Sequence, residues 1–387
     1  MLKKKILVLT DDMPWGHRSI ARAIYKYLKG VEKENNFEVG LAEIKSPFGV
    51  MNDLYTFVYR FFPISNRISM KLMENGMLRK AAFEMLDYDI PELEKTVNKF
   101  KPDLIISAYF YHSQSLVKMR QDKKSQFKLW TVVADPWSIN AFSFIEGADL
   151  HLVYDQMMTK AMKEYGISKN KVFETGWWVR PEMNEDKLKT QNSKLKIRQK
   201  LGFEDDRPVV FVGGGSLGTN SLVKLLPVLM MVKTKVGVIF NTGTDKLAYN
   251  MVEEYIKLFK KLKRNDLVQI KNMGWIENMG EVLSACDIVF GKAGPNFLFD
   301  VVAVGKPFVA ITHIGGQEDG NIDIIKKKKL GWVKEGGNSS AKFLLEYLKN
   351  PKKYQEKFKE TIKKEGERNE KSLPKILERI KKELSHP

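Results

Sequence analysis

Residues 285–300 read ACDIVFGKAGPNFLFD: a short continuous apolar run, a glycine turn, then the opening of a helix. The same order recurs at 207–218, RPVVFVGGGSLG. Apolar runs of this length without polar alternation belong to strands covered on both faces, and such strands lie in parallel sheets crossed by helices. Working outward, KVGVIFNTG (235–243), DLVQIKNMG (266–274) and PFVAITH (307–313) complete one series. KKILVLT (3–9), PDLIISAYF (102–110), FKLWTVVA (127–134) and ADLHLVY (148–154) form another. Two series predict an α/β chain of two Rossmann-like domains. The expected layout is a first domain over 1–182, a polar linker over 183–202, a second domain over 203–365, and a C-terminal helix over 366–387 that packs back on the first domain. Ligands of open α/β sheets bind beyond the carboxyl ends of the strands, so the expected site is a central cleft faced by both sheets.

Composition narrows the class. The chain has 387 residues, of which 43% are hydrophobic and 29% charged, and its one cysteine is Cys286. That excludes a disulfide-stapled miniprotein and a disordered chain. No apolar run reaches the length of a membrane span, and the start MLKKKILVLTDD meets acids before a secretory segment could form, so a cytoplasmic location is expected. The formal charge of +18 suggests an anionic partner. Half of that surplus lies in 321–387, where Lys-rich, Glu-interleaved segments read as solvated helix faces. Neither a zinc-finger spacing nor an aromatic RNA-binding motif is present, so no nucleic-acid partner is expected. The stretch 50–86 is rich in Phe, Tyr and Met with basic residues between them. It reads either as core or as an interfacial element on an anionic membrane surface, with Tyr59, Arg60, Phe61 and Phe62 at its centre.

Four turns carry chemistry. TDDMPWGHRS (10–19) follows the first strand and opens a helix, placing Asp12, Gly16 and His17 at the strand end. A histidine there suits proton removal from a hydroxyl, with a carboxylate to orient it or to act as base itself; helix capping by Asp12 is the plain alternative. VFVGGGSLG (210–218) brings Gly214, Gly215 and Ser216 to a helix N-terminus that suits a phosphate, although it is neither a P-loop nor a dinucleotide fingerprint. FGKAGPNFLFD (290–300) places Gly294 and Asn296 at a third turn and Asp300 on the helix beyond, where a carboxylate can accept both hydroxyls of a ribose. GGQEDGN (315–321) concentrates Gln317, Glu318 and Asn321, groups suited to sugar hydroxyls or to capping. A phosphate turn, a ribose acid and a polar turn in this order are the parts needed to hold a nucleotide-sugar.

These residues resemble those of GT-B glycosyltransferases, in the group of monogalactosyldiacylglycerol synthase and processive diacylglycerol glucosyltransferase, and more distantly MurG. The most specific stretch is MGWIENMGEVLSACDIVFGKAGPNFLFDVVAVGKPFVAITHIGGQEDGN (273–321). GHRSIARAI resembles the group's GGGHRASAEAI, TVVADPWS its TDF-type strand end bearing Asp135, and KVFETGWWVRPEM its interdomain turn. The resemblance implies an inverting, metal-independent transfer of a hexose from a UDP-sugar, which serves as donor substrate with no cofactor, to a lipid acceptor such as diacylglycerol. It implies a peripheral position on the inner face of the membrane, His17 and Asp12 as catalytic residues, and Gly16 and Asp135 on the acceptor side. It also implies Arg180 near the donor, Ser216 on phosphate, Ile276 on uracil, Asp300 on ribose, and Gln317, Glu318 and Asn321 on the sugar. The chain departs from the group in keeping only Gly16 of the glycine loop, in Asp300 for a Glu, and in Pro295, which removes one phosphate-facing amide. A different acceptor, or UDP-sugar binding without transfer, remain the alternatives.

Overall fold

The computed structural model describes residues 3–13, 16–46, 90–123, 126–138, 141–184, 188, 190–203, 206–213, 222 and 224–384. Tyr59, Arg60, Phe61, Phe62, Gly214, Gly215 and Ser216 lie outside these residues. The chain divides into two compact units: 1–181 with 314–320 and 368–387, and 182–313 with 321–367.

The first unit is a six-stranded sheet in the order β2-β1-β3-β4-β5-β6. Its strands are β1 (Lys4–Thr10), β2 (Phe37–Glu43), β3 (Leu104–Ser107), β4 (Lys128–Val132), β5 (Leu150–Val153) and β6 (Val172–Glu174). Every pairing is parallel, from Lys4 opposite Phe37 to Val153 opposite Glu174. The crossovers include α1 (Gly16–Val31), α2 (Pro91–Phe100), α3 (Phe110–Lys123) and α4 (Gln156–Glu164). α1 buries Ile20, Ala21, Ala23, Ile24 and Leu28, a three- and four-residue spacing that makes one apolar stripe against the sheet. The C-terminal helix Ser372–Leu384 belongs to this unit, and the Lys128 ammonium meets Glu383 at 2.6 Å. The Trp177 amide donates to Asn369 Oδ1 at 2.9 Å.

The second unit repeats the plan in the order β12-β11-β10-β7-β8-β9. It consists of β7 (Val209–Gly213), β8 (Val236–Asn241), β9 (Val268–Met273), β10 (Ile288–Lys292), β11 (Phe308–Thr312) and β12 (Gly331–Val333). Around it lie α5 (Gln191–Lys200), α6 (Lys246–Lys261), α7 (Met279–Ala285), α8 (Pro295–Ala303), α9 (Asp319–Lys327) and α10 (Gly337–Lys349). Val210, Val212, Val238, Phe240, Phe290 and Phe343 are among the side chains that close its core. Two parallel Rossmann-like sheets are the GT-B plan expected from the sequence.

The helix α5 is fastened to the second unit by a buried charge cluster. Lys194 and Arg198 each reach Asp287 at 2.6 Å, the Val209 amide donates to the same carboxylate at 2.8 Å, and the Asp287 side chain is 6% exposed. Burial alone would push the Asp287 carboxyl up; the two cations and the amide outweigh it and hold the pKa below the usual carboxylate range. A depressed folded pKa gives stability that is complete above the unfolded value, about 3.9, and is lost as the pH falls below it. Replacing Asp287 by Asn leaves two cations buried without their counter-ion. Urea unfolding near pH 7 should show a loss of about 3–5 kcal/mol, shrinking as the pH falls below about 4.

Candidate functional site

In both sheets the strand order reverses at one place, and that place fixes the site. In the first unit the reversal lies between β1 and β3; in the second it lies between β7 and β10. Crossover helices leave opposite faces there, so the carboxyl ends of the two strands border a crevice that no crossover covers.

At the first reversal the residues after β1 meet those after β3. The Ala108 amide donates to the Leu9 carbonyl at 2.8 Å, which holds the two strand ends side by side. His17, the second residue of α1, places Nδ1 at 2.8 Å from the Ala108 carbonyl, and its ring meets Tyr109 edge-on at 5.3 Å. A carbonyl only accepts, so Nδ1 carries the proton and the neutral ring keeps its basic lone pair on Nε2. Of the two adjacent acids, Asp11 is consumed by the turn: its carboxylate accepts from the Met13 amide at 2.8 Å and the Ser46 amide at 3.0 Å. Asp12 is half-buried, and its carbonyl, not its carboxylate, accepts from Arg18.

Asp135 follows β4, the neighbour of β3, and it completes this end of the sheet. Gln317 Nε2 lies 3.4 Å from Asp135 Oδ1. Burial raises the Asp135 carboxyl above the usual range; His17 and the Gln317 amide oppose that, and the Glu318 carboxylate adds to it. The loop bearing Gln317 is held by backbone. Glu318 accepts from the Ile314 amide at 2.7 Å and returns its own amide to the Ile314 carbonyl at 2.8 Å, and the Gly320 amide donates to Ser138 Oγ. A side chain on Gly320 would stand 2.4 Å from the Trp137 backbone, so the close approach requires glycine. Trp137 itself has φ of 59°, an uncommon conformation for so bulky a residue. Asp155, the cap of α4, holds its indole with oxygens at 3.0 and 3.1 Å from Nε1. Arg180 is half-buried and follows the buried Trp177–Val179 turn.

At the second reversal Gly213 ends β7 opposite Gly291 of β10. A Cβ on Gly291 would lie 2.6 Å from the Gly213 carbonyl oxygen, so glycine is what lets these strand ends approach. Gly294 then caps α8 with Pro295 in its first turn, Asn296 follows, and Asp300 is 4% exposed further along the helix. Asn321, read from sequence as closing the sugar-facing motif, donates its amide to the Ala293 carbonyl at 2.8 Å and so steadies this turn. Ile276 is buried past the end of β9, beside Trp275, which is 76% exposed. No group of three or more His, Cys, Asp or Glu placed to hold a metal ion occurs among the described residues.

Thus His17, Asp135, Gln317 and Glu318 gather in the first unit, while Gly294, Asn296, Asp300 and Asn321 gather on one turn and helix pair of the second. The sequence reading missed the parts played by Asp11, by the Ala108 carbonyl and by Trp137. The Asp-Asp pair directly after a strand was the available signal for the Asp11 turn.

Below Tyr109 sits His112, neither of whose ring nitrogens has a hydrogen-bond partner among the described residues. Burial pushes His112 down to about 4, and His151 likewise. Folded pKa values below the unfolded one mean that the unfolded chain binds more protons between about pH 6.5 and pH 4. Each histidine should therefore take away up to about 3 kcal/mol across that window on acidification. Replacing His112 by Phe should remove its share of the slope, read as urea-unfolding free energies at pH 7 and pH 5. An unchanged slope would contradict the assignment.

Comparison with known proteins agrees with this geometry. Residues 17–179 match the Monogalactosyldiacylglycerol (MGDG) synthase family and residues 209–380 match the Glycosyltransferase family 28 C-terminal domain. A probable chloroplastic monogalactosyldiacylglycerol synthase of Glycine max is 23% identical over 91% of this chain and 66% of that protein, so the chain spans slightly less than two thirds of this relative's length. A processive diacylglycerol beta-glucosyltransferase of Bacillus pumilus is 22% identical, covering 82% of this chain and 80% of that protein. Among solved structures, Anabaena HepE in complex with UDP and glucose superposes with a TM-score of 0.59 at 15% identity, covering 99% of this chain and 100% of that one. The chain therefore joins a region that matches the MGDG synthase family to one that matches the glycosyltransferase family 28 C-terminal domain, on the two-sheet GT-B plan.

Proposed function

We propose that this chain is an inverting glycosyltransferase that moves a hexose from a UDP-sugar to the hydroxyl of a lipid acceptor of the diacylglycerol type. The observation that carries the reading is the pairing, in one chain, of a strand-end base with a fixed tautomer and a glycine-lined strand end opening a helix. The Nε2 lone pair of His17 takes the proton from the acceptor hydroxyl. That oxygen attacks the anomeric carbon, and the bond to the diphosphate oxygen breaks with its electron pair leaving on UDP. The second unit binds the donor: amides of the turn after β10 meet the diphosphate at the N-terminus of α8, where a helix N-terminus favours negative charge. Asp300 takes the ribose hydroxyls, Ile276 contacts uracil, Arg180 supplies a cation near the leaving group, and Gln317 and Glu318 address the sugar. These roles follow the group's pattern, and similarity to a monogalactosyldiacylglycerol synthase and a processive diacylglycerol beta-glucosyltransferase supports the acceptor class. The segment 50–86 is proposed to meet anionic lipid through its basic and aromatic side chains.

The test is incubation with labelled UDP-glucose, UDP-galactose or UDP-N-acetylglucosamine and diacylglycerol in anionic vesicles. One sugar should appear in a chromatographed lipid product. His17→Ala should lower turnover about 10²–10⁴-fold with the Kd for UDP within twofold. UDP binding with no transfer to any lipid would instead mark a binding protein, and unchanged turnover of the variant would remove His17 from the mechanism.

A further inference from the structure

We propose that the outer face of α6, with the 3₁₀ turn before β8, is a contact surface of the second unit for an anionic lipid membrane, separate from the segment 50–86 and independent of the transfer reading.

Large apolar side chains reach solvent on two neighbouring stretches of this unit. Met230 and Met231 end the 3₁₀ turn Pro227–Met231, and Met231 is 62% exposed. Leu247, 67% exposed, and Leu258 lie on α6, and the exposed Leu262 is its carboxyl cap. At about 100° per residue, these leucines and the partly buried Met251 fall within about 60° of one another around the helix axis. They form a stripe beside the buried one of Ala248, Val252 and Phe259, so α6 is apolar over about half its circumference. Arg264 ties the two stretches together. It stands two residues after Leu262, and its guanidinium donates at 2.5 Å to the carbonyl of Val232, the residue after Met231. Exposed apolar side chains scattered singly are ordinary; gathered on one face they mark a contact surface.

The charge on this face has one sign. Residues 257–264, KLFKKLKR, carry five basic residues and no acid, and 230–235, MMVKTK, carry two and no acid. The neighbouring acids are occupied: Glu254 meets Lys257 at 2.8 Å, Glu253 accepts from Asn272 at 2.7 Å, and Asp266 accepts from Asn265 at 3.3 Å. Lys233, Lys261 and Lys263 are exposed around the apolar side chains. Lys263 has φ of 53°, in a capping turn where its amide donates to the Lys260 carbonyl at 3.0 Å and the Arg264 amide to the Phe259 carbonyl at 2.9 Å. Glycine is the unstrained residue at such a position, and the chain sets a cation there, next to Leu262.

These properties select the occupant. Leucine and methionine side chains gain by entering acyl chains, while lysine stems reach back to the lipid phosphates. A second copy docked through the same face about a two-fold axis would set this cationic face against itself. A nucleic acid would engage the lysines and leave Met231 and Leu262 in water.

The test is hydrogen exchange and sedimentation of the full chain with vesicles of phosphatidylcholine, alone or mixed with phosphatidylglycerol. Exchange in peptides covering 227–235 and 256–264 should slow with the anionic vesicles. Leu258→Gln combined with Leu262→Gln, both at exposed positions, should lower the partition coefficient by about tenfold at low and high salt alike. Lys261→Gln combined with Lys263→Gly should lower it about 25-fold at low salt, about fivefold per lysine, and the difference should shrink in about 0.5 M salt. Because glycine relieves the left-handed turn, Lys263→Gly should weaken vesicle binding with no fall in Tm, a combination that a merely structural lysine does not give. Unchanged partitioning of both double variants overturns the proposal, as does a full chain that binds neither vesicle. Slowing of the same peptides with protein concentration alone would assign the face to a second copy. Slowing by RNA that the leucine variant leaves intact would assign it to nucleic acid, and either result overturns the membrane surface. A parent protein that meets vesicles through these peptides and transfers no sugar sinks the transfer reading alone; transfer with these peptides unmoved sinks this surface alone.

Discussion

The reversal of strand order in each parallel sheet is the constraint on which the rest depends. Parallel strands require crossovers, and right-handed crossovers must leave to opposite faces on either side of the first strand laid down. The carboxyl ends of β1 and β3, and of β7 and β10, consequently border the crevices where the crossovers part. His17 and Ala108 sit at one reversal; Gly213 and Gly291 sit at the other.

The buried ionisable groups show how burial and partnership divide. Asp287 has two cations and an amide, and it stays charged. His112 has no hydrogen-bonding partner among the described residues, and it stays neutral. Asp135 falls between the two, with one opposing charge, one amide and one like charge around it. A carboxyl poised by competing neighbours responds to small changes in those neighbours, whereas Asp287 is too firmly held to respond.

Much of the fold was legible because buried parallel strands write themselves as unbroken apolar runs. Nine of them, from KKILVLT to PFVAITH, carry strands of the structure. The ones the reading passed over were β2, β6 and β12. FEVGLAE of β2 alternates burial and carries a glycine, and β6 and β12 are three residues long, so these edge strands lack the double-sided burial that gives the signal. At the site, residue types and chain position placed His17 and Gly294 just past strand ends and Asp300 on the helix beyond. Which of two adjacent acids the turn consumes, which nitrogen of His17 is free, and that Asn321 steadies a carbonyl are decided by partners distant in sequence. A one-dimensional reading cannot supply those partners. Asp135 and Gln317 are 182 residues apart, and nothing short of the folded sheet brings them together.

The central claim is that the second unit receives a nucleotide diphosphate at its strand-order reversal. Amide hydrogen exchange with and without saturating UDP measures this directly, since ligand seated on backbone N–H groups slows their exchange. The account predicts slowing in peptides covering 209–213, 288–298 and 274–278, at the ends of β7, β10 and β9. Slowing confined to the opposite end of the sheet, around Gly202, Arg207 and Asn265 to Lys271, with no change at 288–298, would contradict it.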